Sequence, residues 1–268
     1  MQPGTPSATA ISVASLRAAH LHLFNSPKIH KDTFALQLSG AKGVEDLRAR
    51  LEKSKLPQLQ RVSAYFACRH RFSEDRMWAA LSRGVRQVVL LGAGLFCRNR
   101  SPGQPTLEAQ PAPNTRPFHT RRQIRASRLR VSEPRGRVAF CGRADRAADL
   151  LRMAWCVTQY ISEPAAITIL SLAARHALGS EIVFDVIVPF QALTPDELQI
   201  SSAAQTSSHE RGEPWMSFYR PEQIASRLLA LGFASVQPLT PEDASRYYIG
   251  QPAGVTPLRA WQLVSAVV

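Results

Sequence analysis

Apolar and polar positions alternate with two different periods along this chain, and the change of period divides it. Leu16, Ala19, Leu23 and Phe24 recur at helical spacing, as do Val44, Leu47 and Leu51. Residues 13–55 are therefore expected to be mostly helical and to cap a core domain, with residues 1–12 as a loose tail. Residues 85–91 form an apolar, β-branched run typical of a strand buried on both faces. Just before it, Ser73 can N-cap a short helix to Ser82, with Glu74 and Asp75 in the first turn. Ser162, followed by Glu163 and Pro164, predicts a helix that Gly179 would stop. Residues 181–188 read as an internal parallel strand. Thr194-Pro195-Asp196-Glu197 is a capping box. Residues 221–231 place Ile224, Leu228 and Leu231 on one helical face, with Gly232 as the stop. Residues 261–268 read as a last strand. In the middle, 121–129 is expected to be a helix and 137–141 a short strand. This alternation predicts an α/β fold: an open, mainly parallel sheet with helices on both faces, a helical cap over 13–60, and one domain over 13–268.

Charge adds a local feature. The chain carries a net charge of +13, yet thirteen arginines against four acids in residues 98–152 account for +9 of it. No lysine follows Lys55. The excess is one Arg/Pro-rich window and not a basic face, which makes nucleic acid an unlikely partner; an arginine arm on 98–152 would be the form it took. Cys68, Cys97, Cys141 and Cys156 are widely spaced, without a C-x-x-C pair, so neither a zinc site nor a disulfide framework is expected. No apolar run reaches the length of a membrane span and no secretory signal pattern opens the chain, so the expected location is cytoplasmic.

The strand at 85–91 runs into Gly92-Ala93-Gly94. Glycines there let the backbone pass close to a ligand where a Cβ would clash. The third glycine of a dinucleotide fingerprint would fall at 97, where Cys97 stands, so NAD is not the expected ligand. Upstream, Arg69-x-Arg71 is followed by Asp75, then by Gly84-Val85-Arg86-Gln87. Downstream come Val157-Thr158-Gln159-Tyr160-Ile161, Gly179-Ser180-Glu181-Ile182-Val183-Phe184-Asp185, Gly212-Glu213-Pro214 with Ser217-Phe218, and Leu231-Gly232-Phe233. In these motifs, and in Leu16-Arg17-Ala18-Ala19-His20, the sequence resembles the leucine carboxyl methyltransferase family, especially its bacterial branch dependent on S-adenosylmethionine (SAM).

That resemblance implies a Rossmann-like class I methyltransferase with SAM as cofactor, acting on a carboxyl or hydroxyl oxygen of a small or peptide-like acceptor. It implies that Arg69 holds the methionyl carboxylate of SAM and that Gly92, Ala93 and Gly94 form the turn against which the cofactor lies. Tyr160 and Trp215 would face the substrate. Asp75 matches a family acid, though helix N-terminal charge is the preferred role. No catalytic residue and no metal is implied, and the lone histidines His20 and His119 receive no role. The middle of the chain departs from the family. Gln110 stands where the acid for the ribose hydroxyls is expected, Phe96 replaces an Asp after the glycine turn, and Cys141-Gly142-Arg143 occupies the place of a later acid. A degenerate, non-catalytic relative that keeps the fold is the alternative reading.

Overall fold

The computed structural model describes residues 8–24, 27–54, 56–85 and 158–268, the strand at 87–91, and the backbone of 123–127, 129–132, 137–140 and 150–154. Its centre is a six-stranded sheet in the order β2-β1-β5-β6-β8-β7. Strands β1 (Gln87–Leu91), β2 (Gln123–Ser127), β5 (Leu150–Ala154) and β6 (Glu181–Ile187) run parallel to one another. Strand β8 (Trp261–Val267) runs antiparallel between β6 and β7 (Ser235–Pro238). A separate two-stranded ribbon pairs β3 (Leu129–Ser132) with β4 (Arg137–Phe140). The register sets Leu91 beside Ser127 and Ala154, so β1, β2 and β5 end together just before Gly92.

Residue alternation on the central strands explains the layers. Every residue of β6 is buried. Ile182, Phe184 and Val186 pack with Val264 and Ala266 against Ala166, Ile169 and Leu170 of α5 (Glu163–Ala174) and Ile224 and Leu228 of α7 (Pro221–Ala230). Val183 and Leu263 point the other way, onto Ala64, Ala67, Cys68 and Phe72 of α4 (Leu59–Ser82). The period of two places successive side chains on opposite faces, and helices cover both. A third cluster joins α1 (Ala8–His22), α2 (Ala35–Leu38) and α3 (Val44–Ser54) to the first half of α4, Ile200 of α6 (Pro195–Glu210), and Leu258, Trp261 and Ile187. This is the cap. The remaining helix, α8 (Pro241–Ser245), lies on the α4 side through Ala244.

Several expectations change. Ser73 is not an N-cap: α4 is one helix of 24 residues, and the Ser73 hydroxyl donates back to the Arg69 carbonyl at 2.9 Å. No Gly or Pro interrupts residues 59–82, so nothing stops the helix there. Asp75 consequently sits in mid-helix, paired with Arg71 at 3.0 Å and accepting from the Tyr247 hydroxyl at 3.0 Å. Helix α5 ends at Ala174 instead of reaching Gly179. The chain must turn earlier because Gly179, at φ +84°, already donates to Val268 at the end of the sheet. Residues 123–127 form β2 and not a helix, pairing along the full length of β1; sheet pairing overrides local propensity there. Helix α1 also takes in residues 8–12 of the expected tail. The capping box at Thr194 forms as read, with Glu197 N–H donating to Thr194 Oγ1 at 3.4 Å. Among the described residues, no helix is long and apolar enough to cross a membrane, and no group of three metal-ligating side chains occurs.

The layer packing has a direct test. Leu228→Ala empties a fully buried position on α7 and is expected to lower stability by about 2–5 kcal/mol in urea denaturation. Leu229→Ala, on the exposed side of the same helix, is expected to stay within about 0.5 kcal/mol. Equal effects would mean that α7 does not present this face to the sheet.

Candidate functional site

Helix α4 carries two jobs along its length, and the site lies where they meet. Its first half holds the cap and its second half lies on the sheet, so Tyr65, Phe66 and Arg69 fall at the junction, near the carboxyl end of β6. Arg69 and Asp185 are both buried and form an ion pair at 3.2 Å. The Arg69 guanidinium also lies 4.7 Å from the centre of the Phe66 ring, a cation–π contact that favours the charged group in a dry setting.

A cavity of about 280 Å³ opens beside this pair, between α1, α3, α4, α6 and the ends of β6 and β8. Tyr65, Phe66, Tyr160, Trp215 and Trp261 give it aromatic walls, Leu16, Leu51 and Val62 give it aliphatic ones, and Asp185 reaches its surface. Trp261 packs 5.1 Å from Tyr65 and 5.8 Å from Phe66, ring centre to ring centre. The opposite wall is stitched by backbone. The Thr158 hydroxyl donates to the Asp185 carbonyl at 2.5 Å, the Ser217 hydroxyl to the Thr158 carbonyl at 2.6 Å, and the Met216 N–H to the Gln159 carbonyl at 2.6 Å. These bonds fix Gln159, Tyr160 and Trp215 against the end of β6.

The cap is tied down by histidines held neutral. Arg17 of α1 pairs with Asp32 at 3.1 Å and meets Nε2 of His70 at 2.5 Å, while His70 Nδ1 meets the Phe66 carbonyl at 3.0 Å. A guanidinium can only donate, so Nε2 is the acceptor and Nδ1 carries the proton. Burial, and then the Arg17 and Arg69 charges, hold His70 well below the usual imidazole range. His20 accepts from the Ile29 N–H at 3.0 Å and is pushed down to about 4 by burial, then by Lys28 and His30. Burial pushes the Cys68 thiol up to about 12, so it is no nucleophile at neutral pH.

Of the residues expected from sequence, Arg69 stands behind the cavity wall and Tyr160 lines the cavity. Gly92, Ala93, Gly94 and Gln110 lie outside the described residues, as do His119 and most of the Arg/Pro-rich window. Asp185, Tyr65, Phe66, Gln159 and Trp261 received no role from sequence. Asp185 had a signal: an acid near the carboxyl end of an otherwise apolar buried strand needs a partner.

Residues 10–99 match the sequence profile of the leucine carboxyl methyltransferase family. The matched segment runs from α1 through β1 and includes Arg69, Gly92, Ala93 and Gly94, whereas Gln110, Tyr160 and Asp185 lie beyond it. Two proteins named as SAM-dependent methyltransferases, from Streptomyces avermitilis and Streptomyces coelicolor, are each 33% identical over 100 residues. Those 100 residues cover 37% of this chain and 35% of each relative, so the match spans about a third of either protein. Among solved structures, a protein of Thermobifida fusca named as a methyltransferase aligns with TM-score 0.49 at 13% identity, over 98% of this chain and 95% of its own. A Streptomyces avermitilis protein of the DUF574 family aligns with TM-score 0.49 at 12% identity, over 95% and 96%.

The neutral histidines give the cap a pH signature. Their folded pKa values lie below the unfolded value of about 6.5, so their contribution is complete above that pH and is lost as pH falls from there toward 4. Thermal unfolding should show a melting temperature that drops steadily between pH 7 and pH 5. A flat or rising profile would show that His20 and His70 are not buried uncharged.

Proposed function

We propose that the chain is a SAM-dependent O-methyltransferase of the Rossmann-like class I type, acting on a carboxyl or hydroxyl group. The observation that carries this reading is positional. The matched segment includes β1 and the Gly92-Ala93-Gly94 sequence after it, and β1, β2 and β5 finish together at Leu91, the kind of edge where open α/β sheets bind ligands. The aromatic cavity at the end of β6 is a place for the acceptor.

When bound, SAM supplies an electrophilic methyl on sulfur, which becomes a neutral thioether as the acceptor oxygen takes the methyl. The protein's part is mainly alignment and exclusion of water. We assign Arg69 to the methionyl carboxylate, for which a guanidinium offers paired donors, and the turn at Gly92, Ala93 and Gly94 to close backbone approach. A carboxylate acceptor needs no base. A hydroxyl acceptor must lose its proton, and Asp185 is the carboxylate on the cavity wall.

To hold the methionyl carboxylate, Arg69 would have to share or leave Asp185, to which it is paired at 3.2 Å. Gln110 can bond a ribose hydroxyl, but it lacks the charge of the acid expected there. That observation favours a second reading, a non-catalytic relative that retains the fold. Charge-assisted bonds contribute about 1.5–3 kcal/mol, roughly 10- to 150-fold in affinity. Calorimetric titration with SAM is therefore expected to show weak binding that Gln110→Asp tightens by about that factor. No binding by either folded protein would leave the non-catalytic reading standing, and binding that Gln110→Asp leaves unchanged would remove Gln110 from the site.

A further inference from the structure

The cavity under the cap is specific enough to name a class of ligand. Its volume, about 280 Å³, is nearly twice that of an apolar protein cavity of about 150 Å³ that holds one benzene. Two fused rings fit such a space. The walls are matched to flat rings, with Tyr65, Phe66, Tyr160, Trp215 and Trp261 all lining it, and aromatic faces and edges pack favourably against one another.

Buried polar atoms of this lining include Oγ1 of Thr9, Oε1 of Gln159 and Nε1 of Trp215. Gln159 is 5% exposed, and neither its Oε1 nor the buried Nε1 of Trp215 has a hydrogen-bond partner among the described residues. A buried polar atom left unpaired is costly, so such atoms are ordinarily satisfied. Together Gln159 Oε1 and Trp215 Nε1 present one acceptor and one donor, both uncharged, which suits a hydroxyl that can give one hydrogen bond and receive another. Charge points the same way. Asp185 is the acidic side chain of the lining and is already paired with Arg69, while Arg50 and Arg211 stand at the lining's solvent-exposed positions. Arg50 is paired with Asp46 at 2.7 Å and Arg211 is bonded to Ser12 at 2.9 Å. A carboxylate taken inside would share the lining with the Asp185 carboxylate, and like charges held close together in a buried site disfavour each other.

We propose that this cavity takes a planar aromatic alcohol, a phenol or naphthol, whose rings stack among Tyr65, Phe66, Trp215 and Trp261 and whose hydroxyl is held by Gln159 and Trp215. The proposal rests on the methyltransferase reading and narrows its acceptor from any carboxyl or hydroxyl to an aromatic hydroxyl.

Calorimetric titration of the full chain with 2-naphthol, naphthalene and 2-naphthoate, each with and without saturating SAM, tests it, because the three probes share one ring system and differ in the head. 2-Naphthol should bind about 5- to 150-fold more tightly than naphthalene, the range for two added hydrogen bonds, and at least about 10-fold more tightly than 2-naphthoate. Gln159→Leu and Trp215→Phe should each shrink the preference for naphthol over naphthalene toward parity while naphthalene still binds; either folded variant decides the point. Tightest binding of naphthoate, equal binding of naphthol and naphthalene, or no binding of any probe would overturn the proposal. SAM titrated alone separates the two readings. Binding of SAM without aromatic binding would remove this inference and leave the methyltransferase, and naphthol binding without SAM binding would do the reverse.

Discussion

The buried pair between Arg69 and Asp185 is the contact on which the site depends. It joins the helix that precedes β1 to the central strand β6 across 116 residues of sequence, at the level where the sheet gives way to the cap. Neither charge could remain there alone. Removing one partner of a buried pair typically costs about 3–5 kcal/mol, because the other is left unmatched in a poor solvent. Held together, the two groups give the cavity a wall that is polar yet balanced. The Phe66 ring beside Arg69 extends that wall into the aromatic lining. Electrostatics and shape at this point therefore come from the same few residues.

Helix α4 makes the arrangement possible by being long. Its 24 residues extend about 36 Å, far enough to serve both the cap and the sheet. At its far end, Arg76 and Arg83 (just past the helix) reach Glu181 at 2.6 Å each, and Ser265 donates to the same carboxylate. At its near end, Arg61 bonds the Thr256 carbonyl at 3.1 Å, and Glu197 accepts from the Arg259 N–H at 2.7 Å. The helix is thus pinned at both ends, to β6 at one and to α6 and the loop before β8 at the other.

Much of this was legible in the sequence, for physical reasons that differ by region. The strands β1, β6 and β8 announce themselves as dense apolar runs, and α7 as a one-sided stripe ending at a glycine in positive φ. The capping box at Thr194 is local chemistry and forms as local chemistry should. Errors arose where long-range contact outweighs local signal. Ser73 has the residue type of an N-cap but bonds back into its own helix. Residues 123–127 carry no strong strand signal and become a strand by pairing with β1. The site was half visible. Arg69 and Tyr160 could be picked from motifs, but the partnership of Arg69 with Asp185, and the approach of Trp261 to Tyr65, join residues far apart in sequence. Only the packing of α4 on the assembled sheet brings them together.

The central claim is that Arg69 meets the cofactor's carboxylate and does not merely neutralise Asp185. Calorimetric titration of SAM against the unmodified chain, Arg69→Gln and Asp185→Asn separates the two roles, with circular dichroism to establish that each protein is folded. If Arg69 contacts the cofactor, Arg69→Gln loses SAM binding while Asp185→Asn, which keeps the guanidinium and removes its competitor, binds SAM at least as tightly as the unmodified chain. Equal loss in both variants, or retained binding in Arg69→Gln, would contradict the assignment and reduce the pair to a purely structural tie.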